Sequence, residues 1–233
     1  MKIGMVGGIG PESTVDYYKR LIELCQKDTH HGNYPEIMIN SINMTSMLQL
    51  VADKKWDELT AMLTDAVNSL QRAGADFAFI ASNTPHIVFE EVKLISPIPL
   101  ISIVEAVRLA AQKLGLKKIC LLGTLFTMQS SYYQTQFDGS GIAIIVPNEK
   151  EQQYIQQKLF SEIEHGVFLD DTRNGLLSIV KRLIQEEAID GVILGCTELP
   201  LILTQSKYGI PFLNTTEIHV SRVIETYKEL AVM

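Results

Sequence analysis

Two small side chains that could move a proton, Ser82 and Cys196, close two apolar runs of the same design. The first run is Ala75-Asp76-Phe77-Ala78-Phe79-Ile80-Ala81-Ser82-Asn83-Thr84, and the second is Ile189-Asp190-Gly191-Val192-Ile193-Leu194-Gly195-Cys196-Thr197-Glu198. Aligning Asp76 with Asp190 brings Ser82 opposite Cys196. A thiol near its ordinary pKa of about 8.5 is close to the range useful for proton transfer. At the start of a helix, the helix dipole is expected to lower that pKa further. One such group from each half of a duplicated chain could address the two faces of one small molecule.

A second pair of segments supports the duplication. Lys2-Ile3-Gly4-Met5-Val6-Gly7-Gly8 resembles Lys118-Ile119-Cys120-Leu121-Leu122-Gly123-Thr124, and tyrosine pairs follow each, Tyr17-Tyr18 and Tyr132-Tyr133. Gly7 lies 75 residues before Ser82, and Gly123 lies 73 before Cys196. A period this long marks a domain-sized repeat, not a solenoid module.

Other polar groups stand beside these anchors. Gly7-Gly8-Ile9-Gly10-Pro11 suits a tight strand-to-helix turn, with Pro11 in the first helical turn. The dinucleotide spacing needs a further glycine where Ser13 stands, and no phosphate-loop Gly-Lys-Ser/Thr occurs, so nucleotide binding is disfavoured. Ser82-Asn83-Thr84-Pro85 and Gly123-Thr124-Leu125-Phe126-Thr127-Met128 each read in two ways. They cap helices, or they hold a carboxylate beside free backbone N–H groups. His86 lies one turn beyond Ser82, where it tunes the site or makes a structural hydrogen bond. His30-His31 has no third ligand in view and reads as solvated loop, and His165 and His219 show no useful spacing. Cys25 and Cys120 read as packing residues.

The elements that must position these groups alternate between strand and helix. Strand-like runs fall at 3–6, 36–40, 77–81, 100–103, 119–122, 142–146, 192–194 and 212–213. Several are continuously apolar, as parallel strands covered on both faces are. Helical stripes run through Trp56, Leu59, Met62, Leu63, Ala66 and Leu70, through Val104, Val107, Ala111 and Leu114, and through Leu177, Val180, Leu183 and Ile184. The pattern predicts an α/β fold with parallel sheets. Ser96-Pro97-Ile98-Pro99 and Gly209-Ile210-Pro211 suggest crossings between domains. The expected division is a first domain of 1–98 plus 210–233, closed by a helix over 216–230, and a second of 99–209. Ligands of such sheets bind beyond the carboxyl ends of the strands, where all the candidate residues lie.

The bulk composition narrows the function classes. The chain has 233 residues, 46% of them apolar and 20% charged, enough to build substantial cores. Its net charge of −7 argues against nucleic acid as a partner, since that would call for a basic stripe. No apolar stretch reaches membrane-spanning length and no signal-peptide core is evident, so a cytoplasmic location is expected. Three widely spaced cysteines fit a reducing compartment.

In order and spacing, these motifs resemble the aspartate/glutamate racemase family, the cofactor-independent amino-acid racemases, over nearly the whole chain. The resemblance rests on Gly7-Gly8-Ile9-Gly10-Pro11-Glu12-Ser13-Thr14, Ser82-Asn83-Thr84, Gly123-Thr124-Leu125-Phe126-Thr127-Met128 and Gly195-Cys196-Thr197-Glu198. It implies two similar α/β domains related by pseudo-two-fold symmetry, an active site in the inter-domain cleft, a homodimer, and no pyridoxal phosphate or metal. It implies an isomerase of aspartate or glutamate in which Cys196 and Ser82 are the opposed acid/base groups. Asn83, Thr84, Thr124, Thr127 and Thr197 would hold the α-carboxylate and its surroundings, and Ile9 would line the cleft where many relatives carry methionine.

The chain departs from the family pattern at two places. Ser82 stands where the family usually has cysteine and a subset has threonine, and a serine hydroxyl is a poor base without an activator. A one-sided enzyme with Cys196 as base, an engineered cysteine-to-serine form, and an impaired relative that only binds small carboxylates all fit that exchange. A related maleate isomerase or decarboxylase is a further alternative. The segment Asn40-Ser41-Ile42-Asn43-Met44-Thr45-Ser46-Met47 has neither arginine nor lysine, and Glu164 stands near where some aspartate racemases place a lysine for the distal carboxylate.

Overall fold

The computed structural model describes residues 1–28 and 34–231. His30 and His31 lie outside the described residues. The chain forms two compact units, Met1–Ala106 with Thr216–Met233, and Val107–Thr215.

The first unit opens with β1 (Lys2–Gly7) and α1 (Pro11–Asp28). Pro11 and Glu12 occupy the first turn of α1, where a fixed φ and a negative charge both suit the orphan N–H groups. Next come β2 (Glu36–Ser41), α2 (Met44–Ala52) capped by Asn43, and α3 (Trp56–Arg72). Along α3 the expected stripe is realised by Leu59, Leu63, Ala66 and Leu70, all buried, with Val67 added. After β3 (Phe77–Ile80) a 3-10 turn over Thr84–Val88 leads into α4 (Phe89–Ile95) and β4 (Leu100–Ile101). The apolar run 100–103 gives only two strand residues, because Ser102 accepts the Glu105 N–H at 3.2 Å and starts α5 (Ile103–Lys113). Leu114, expected on that helix's stripe, lies past its end and is exposed.

The second unit continues with β5 (Lys118–Leu122), α6 (Leu125–Gln129), α7 (Tyr132–Phe137) and β6 (Ala143–Ile145). Then follow α8 (Glu149–Ser161), started by a capping box between Asn148 and Glu151, a 3-10 turn over Ile163–His165, and α9 (Asp170–Glu187). The unit is completed by β7 (Gly191–Leu194), α10 (Leu199–Ile202) and β8 (Phe212–Asn214). The last helix, α11 (Thr215–Ala231), joins the first unit's core through Val220, Val223 and Ile224.

The two sheets are built alike. Their strand orders are β2-β1-β3-β4 and β6-β5-β7-β8, each four-stranded and parallel throughout. In both, the aspartate before the third strand fixes its register to the first. Asp76 accepts the Lys2 N–H at 2.6 Å while its own N–H donates to the Lys2 carbonyl at 3.0 Å. Asp190 accepts the N–H groups of Lys117 at 2.7 Å and Lys118 at 3.0 Å, and donates to the Lys118 carbonyl at 2.8 Å. At the far ends, Ala81 N–H donates to Val6 and Gly195 N–H to Leu122, at 2.9 and 2.7 Å. The alignment of Asp76 with Asp190 thus pairs residues with the same structural work.

Each crossing falls after a strand that the proline-bearing phrases would have assigned to the other unit. β4 pairs with β3, and β8 pairs with β7, so residues 100–101 and 212–214 complete the preceding sheets. Cys25 is buried in the first core with Tyr17, Phe77 and Phe79, and Cys120 in the second with Leu122, Ile155 and Leu194. Burial pushes the Cys120 thiol far up, so it stays neutral.

Candidate active site

Cys196 stands two residues beyond β7, in a turn held from both sides. The Leu194 carbonyl accepts the Thr215 hydroxyl at 3.0 Å, and the Cys196 carbonyl accepts the Leu199 N–H at 3.2 Å. The Cys196 side chain is 8% exposed and belongs to the second unit's core. Its Sγ–H donates to Glu198 Oε2 at 2.9 Å, and the Thr197 hydroxyl donates to the same oxygen at 2.8 Å.

This environment reverses the shift expected from a helix start. Burial is the largest cause, and the Glu198 charge and hydrogen bond add to it, so the thiol's pKa rises well above its ordinary value. The helix that follows, α10, has only four residues and begins after Glu198. Its dipole is too small to offset a carboxylate in contact with the sulfur. Cys196 therefore rests as a thiol beside a proton acceptor. Glu198 has no role assigned from the Gly-Cys-Thr-Glu run alone; its signal in the sequence is a carboxylate two residues after a strand-end cysteine.

Thr124 and Thr127 lie at the end of the neighbouring strand. Thr124 caps α6, accepting the Thr127 N–H at 3.3 Å, and the two hydroxyls are 3.1 Å apart. The cap reading therefore holds here. The Leu125 N–H donates to Gln156 Oε1 at 2.7 Å, so that donor is already used. Thr127 can sit against the strand ends because two residues there lack a Cβ. A Cβ on Gly123 would come within 3.1 Å of the Thr127 side chain, and one on Gly195 within 3.0 Å of the Leu122 carbonyl. Tyr132 is also nearby: the Thr127 hydroxyl and Cys196 both act on its phenol, and burial pushes its pKa up.

In the first unit, Ser82 occupies the matching position, two residues beyond β3 and half-buried. Asn83 is buried but its side chain does not cap the 3-10 turn that Thr84 opens. The turn is held by His86 instead. Its Nδ1–H donates to the Ser82 carbonyl at 2.8 Å, and Nε2 accepts the Ile103 N–H at 3.2 Å. These two bonds define the neutral tautomer, and burial, with His219 nearby, lowers the His86 pKa to about 3. His219 donates from Nε2 to the Ile101 carbonyl at 3.1 Å and accepts the Tyr17 hydroxyl at Nδ1, 3.0 Å away; burial lowers its pKa to about 4. Of the two roles open to His86, the structural hydrogen bond is the one made.

Ile9 is buried in the loop after β1. Gly8 in that loop has φ of 78°, and a Cβ there would strike the Ile42 carbonyl at 2.4 Å. Its N–H donates to the Thr14 hydroxyl at 2.9 Å. Close chain packing accounts for this glycine. Among the described residues no cluster of three metal-ligating side chains occurs, and no helix is long and apolar enough to cross a membrane.

Twin parallel sheets, each ending its third strand in a small protic side chain, with a thiol–carboxylate pair on one, define an α/β protein equipped for proton transfer. Residues 6–223 match the model of the Asp/Glu/Hydantoin racemase family, and the chain belongs to that family. It is 28% identical over 228 residues to the broad specificity amino-acid racemase RacX of Bacillus subtilis (strain 168), covering 97% of both chains. An aspartate racemase homologue from Pyrococcus horikoshii OT3 superposes with a TM-score of 0.88 at 35% identity, covering 97% of this chain and 99% of that one. The glutamate racemase isoform RacE1 from Bacillus anthracis shares the fold, with a TM-score of 0.70 at 17% identity and coverage of 98% and 82%.

Proposed function

We propose that this protein racemises an amino acid without a cofactor, with Cys196 removing the α-proton on one face and Ser82 returning a proton on the other. The observation that carries the reading is the 2.9 Å hydrogen bond from Cys196 Sγ to Glu198 Oε2. It supplies what a thiol with a raised pKa lacks, an acceptor for its proton at the moment of reaction.

The steps balance as follows. The Cys196 proton passes to Glu198, and the thiolate takes the substrate's α-hydrogen as a proton, leaving the electron pair on the α-carbon. The Ser82 hydroxyl donates its proton to the opposite face. Solvent then restores the Ser82 proton and takes the one held by Glu198. Asn83, Thr84, Thr124, Thr127 and Thr197 are assigned to the substrate's α-carboxylate and its surroundings, and Ile9 to an apolar wall. Placement of such donors where negative charge develops is worth several kcal/mol, about 3 for a single donor in comparable sites. A homodimer in the cytoplasm remains the expected setting.

Proton NMR in heavy water tests the reading, following loss of the α-hydrogen signal across a panel of free amino acids with no cofactor added. Exchange by the native protein, abolished in Cys196→Ala, is the expected result. Equal exchange in Cys196→Ala, or no exchange with any amino acid, would overturn it. Chiral chromatography of the same samples separates full racemisation from one-sided exchange.

A further inference from the structure

Ser82 and Cys196 match in position but are held by different means. Four residues beyond Cys196 stands Pro200, and four beyond Ser82 stands His86. The Cys196 carbonyl accepts a backbone N–H, that of Leu199 at 3.2 Å, while the Ser82 carbonyl accepts the His86 imidazole N–H at 2.8 Å. Just before it, the Ala81 N–H donates to the Val6 carbonyl at 2.9 Å. The chain is therefore pinned on both sides of the Ser82 side chain. The His86 ring is itself fixed. It is 5% exposed, it stacks on Phe89 with centroids 4.7 Å apart and planes 5° from parallel, and its Nε2 accepts the Ile103 N–H at 3.2 Å.

The Ile103 N–H is one of the orphan donors at the start of α5, and the imidazole takes it. His219 grips the same turn from its other end, donating to the Ile101 carbonyl at 3.1 Å while it accepts the Tyr17 hydroxyl at 3.0 Å. A buried polar network thus backs the Ser82 turn with groups from α1, α11 and the β4–α5 junction, and a network whose members are satisfied rigidifies what it touches. Both nitrogens of His86 are occupied, so neither is open to the Ser82 hydroxyl. That excludes a serine–histidine base pair and leaves His86 one route to Ser82, through the carbonyl.

We propose that His86 is a positioning residue for Ser82, holding its turn so that the hydroxyl can return a proton on its face of the α-carbon. This rests on the racemase reading. A hydroxyl is a weaker acid and a poorer reagent than a thiol, so more of its contribution must come from placement. The Cys196 turn carries its helper, Glu198, on the sulfur, and the Ser82 turn carries its helper behind the backbone.

Two substitutions separate the bonds of the ring. In His86→Asn the amide Nδ2 takes the place of Nδ1 and keeps the donor to Ser82, while nothing reaches Ile103. In His86→Gln the longer side chain brings Oε1 to the Ile103 N–H, and the donor to Ser82 is lost. Both enantiomers of the amino acid that the native protein exchanges fastest are followed in heavy water, by proton NMR for α-hydrogen loss and by chiral chromatography for inversion. His86→Gln should slow inversion about tenfold from either enantiomer, yet leave exchange of the enantiomer whose proton Cys196 takes within about twofold. His86→Asn should keep the native ratio of inversion to exchange, even where lower stability reduces both. A role confined to stability lowers the two together, so an unchanged ratio in His86→Gln, or an equal fall in both variants, would overturn the proposal. The carbon-13 shift of the Ser82 carbonyl, recorded without substrate, should move in His86→Gln and stay near its native value in His86→Asn; a shift unmoved in His86→Gln would also overturn it. Absence of exchange of any amino acid by the native protein would instead refute the racemase reading, and the carbonyl shift would then decide alone whether His86 places Ser82.

Discussion

Replacing Gly195 by alanine places a methyl group 2.9 Å from Leu121 Cδ1, 3.0 Å from the Leu122 carbonyl oxygen and 3.4 Å from Thr127 Cγ2. The leucine tip can turn aside. The carbonyl cannot, because it is the acceptor of the Gly195 N–H at 2.7 Å. Overpacking of this kind costs about 1–3 kcal/mol. The stiffer unfolded chain returns about 0.4–1 kcal/mol, leaving a net loss of about 1.3 kcal/mol at the middle of both ranges. Gly191 on the same strand is the control. Its methyl would meet Leu116 Cδ1 at 2.9 Å and otherwise nothing nearer than 3.6 Å, all of it side chain. Gly191→Ala should be close to neutral. The two variants should part further in activity, since relief at Gly195 must move the adjoining Cys196 or the Thr127 side chain. A misplacement of about 1 Å can cost a hundredfold, so a shift of tenths of an ångström predicts a loss of about tenfold in α-hydrogen exchange. Urea denaturation and deuterium exchange measured on both proteins decide the matter. Equal stability and equal exchange in the two variants would refute the claim that this strand end is packed to fix the thiol.

Glu198→Gln should slow α-hydrogen exchange while letting Cys196 react with iodoacetamide at lower pH, because the charge that raises the thiol's pKa is gone; a faster-exchanging variant would argue against Glu198 as proton acceptor. Ser82→Cys should speed racemisation, equally from either enantiomer because the two are equally stable, read by chiral chromatography, and an unchanged rate would count against a proton shuttle at this position. His86 and His219 are neutral when folded, with pKa values of about 3 and about 4, against an ordinary value of 6.5. The unfolded chain therefore binds more protons below pH 6.5, and stability, complete above that value, should fall as pH drops through the range from 6.5 toward 4 and then 3. His219→Gln should flatten that decline in chemical denaturation at stepped pH. Asp190→Ala should destabilise more than Asp76→Ala, since Asp190 accepts two backbone N–H groups and Asp76 one, each charge-assisted bond being worth about 1.5–3 kcal/mol before solvent screening.

The strands were legible because parallel strands buried on both faces leave unbroken apolar runs, and residues 77–80 and 191–194 are fully buried as that pattern implies. The repeat was legible through Asp76 and Asp190, whose side chains bond the backbone at the start of the adjoining strand in both units. Strand ends blurred where a polar side chain captured the next N–H, as Ser102 does. The direction of the Cys196 shift is opposite to the one its strand-end position suggests, because it depends on burial and on a carboxylate folding back across two residues. Position along a strand reports neither. His219 was opaque for a different reason: it meets Ile101 across 118 residues of sequence, a contact no local spacing encodes.

The aspartate clamps and the two side chains we assign to proton transfer, Ser82 and Cys196, lie at opposite ends of the same strands. Alignment of each sheet is thus secured away from the strand ends that carry Ser82 and Cys196. A side chain at either tip can change without disturbing how the strands meet. Such a scaffold can change its reagent and its clientele by single substitutions, with folding left out of the transaction.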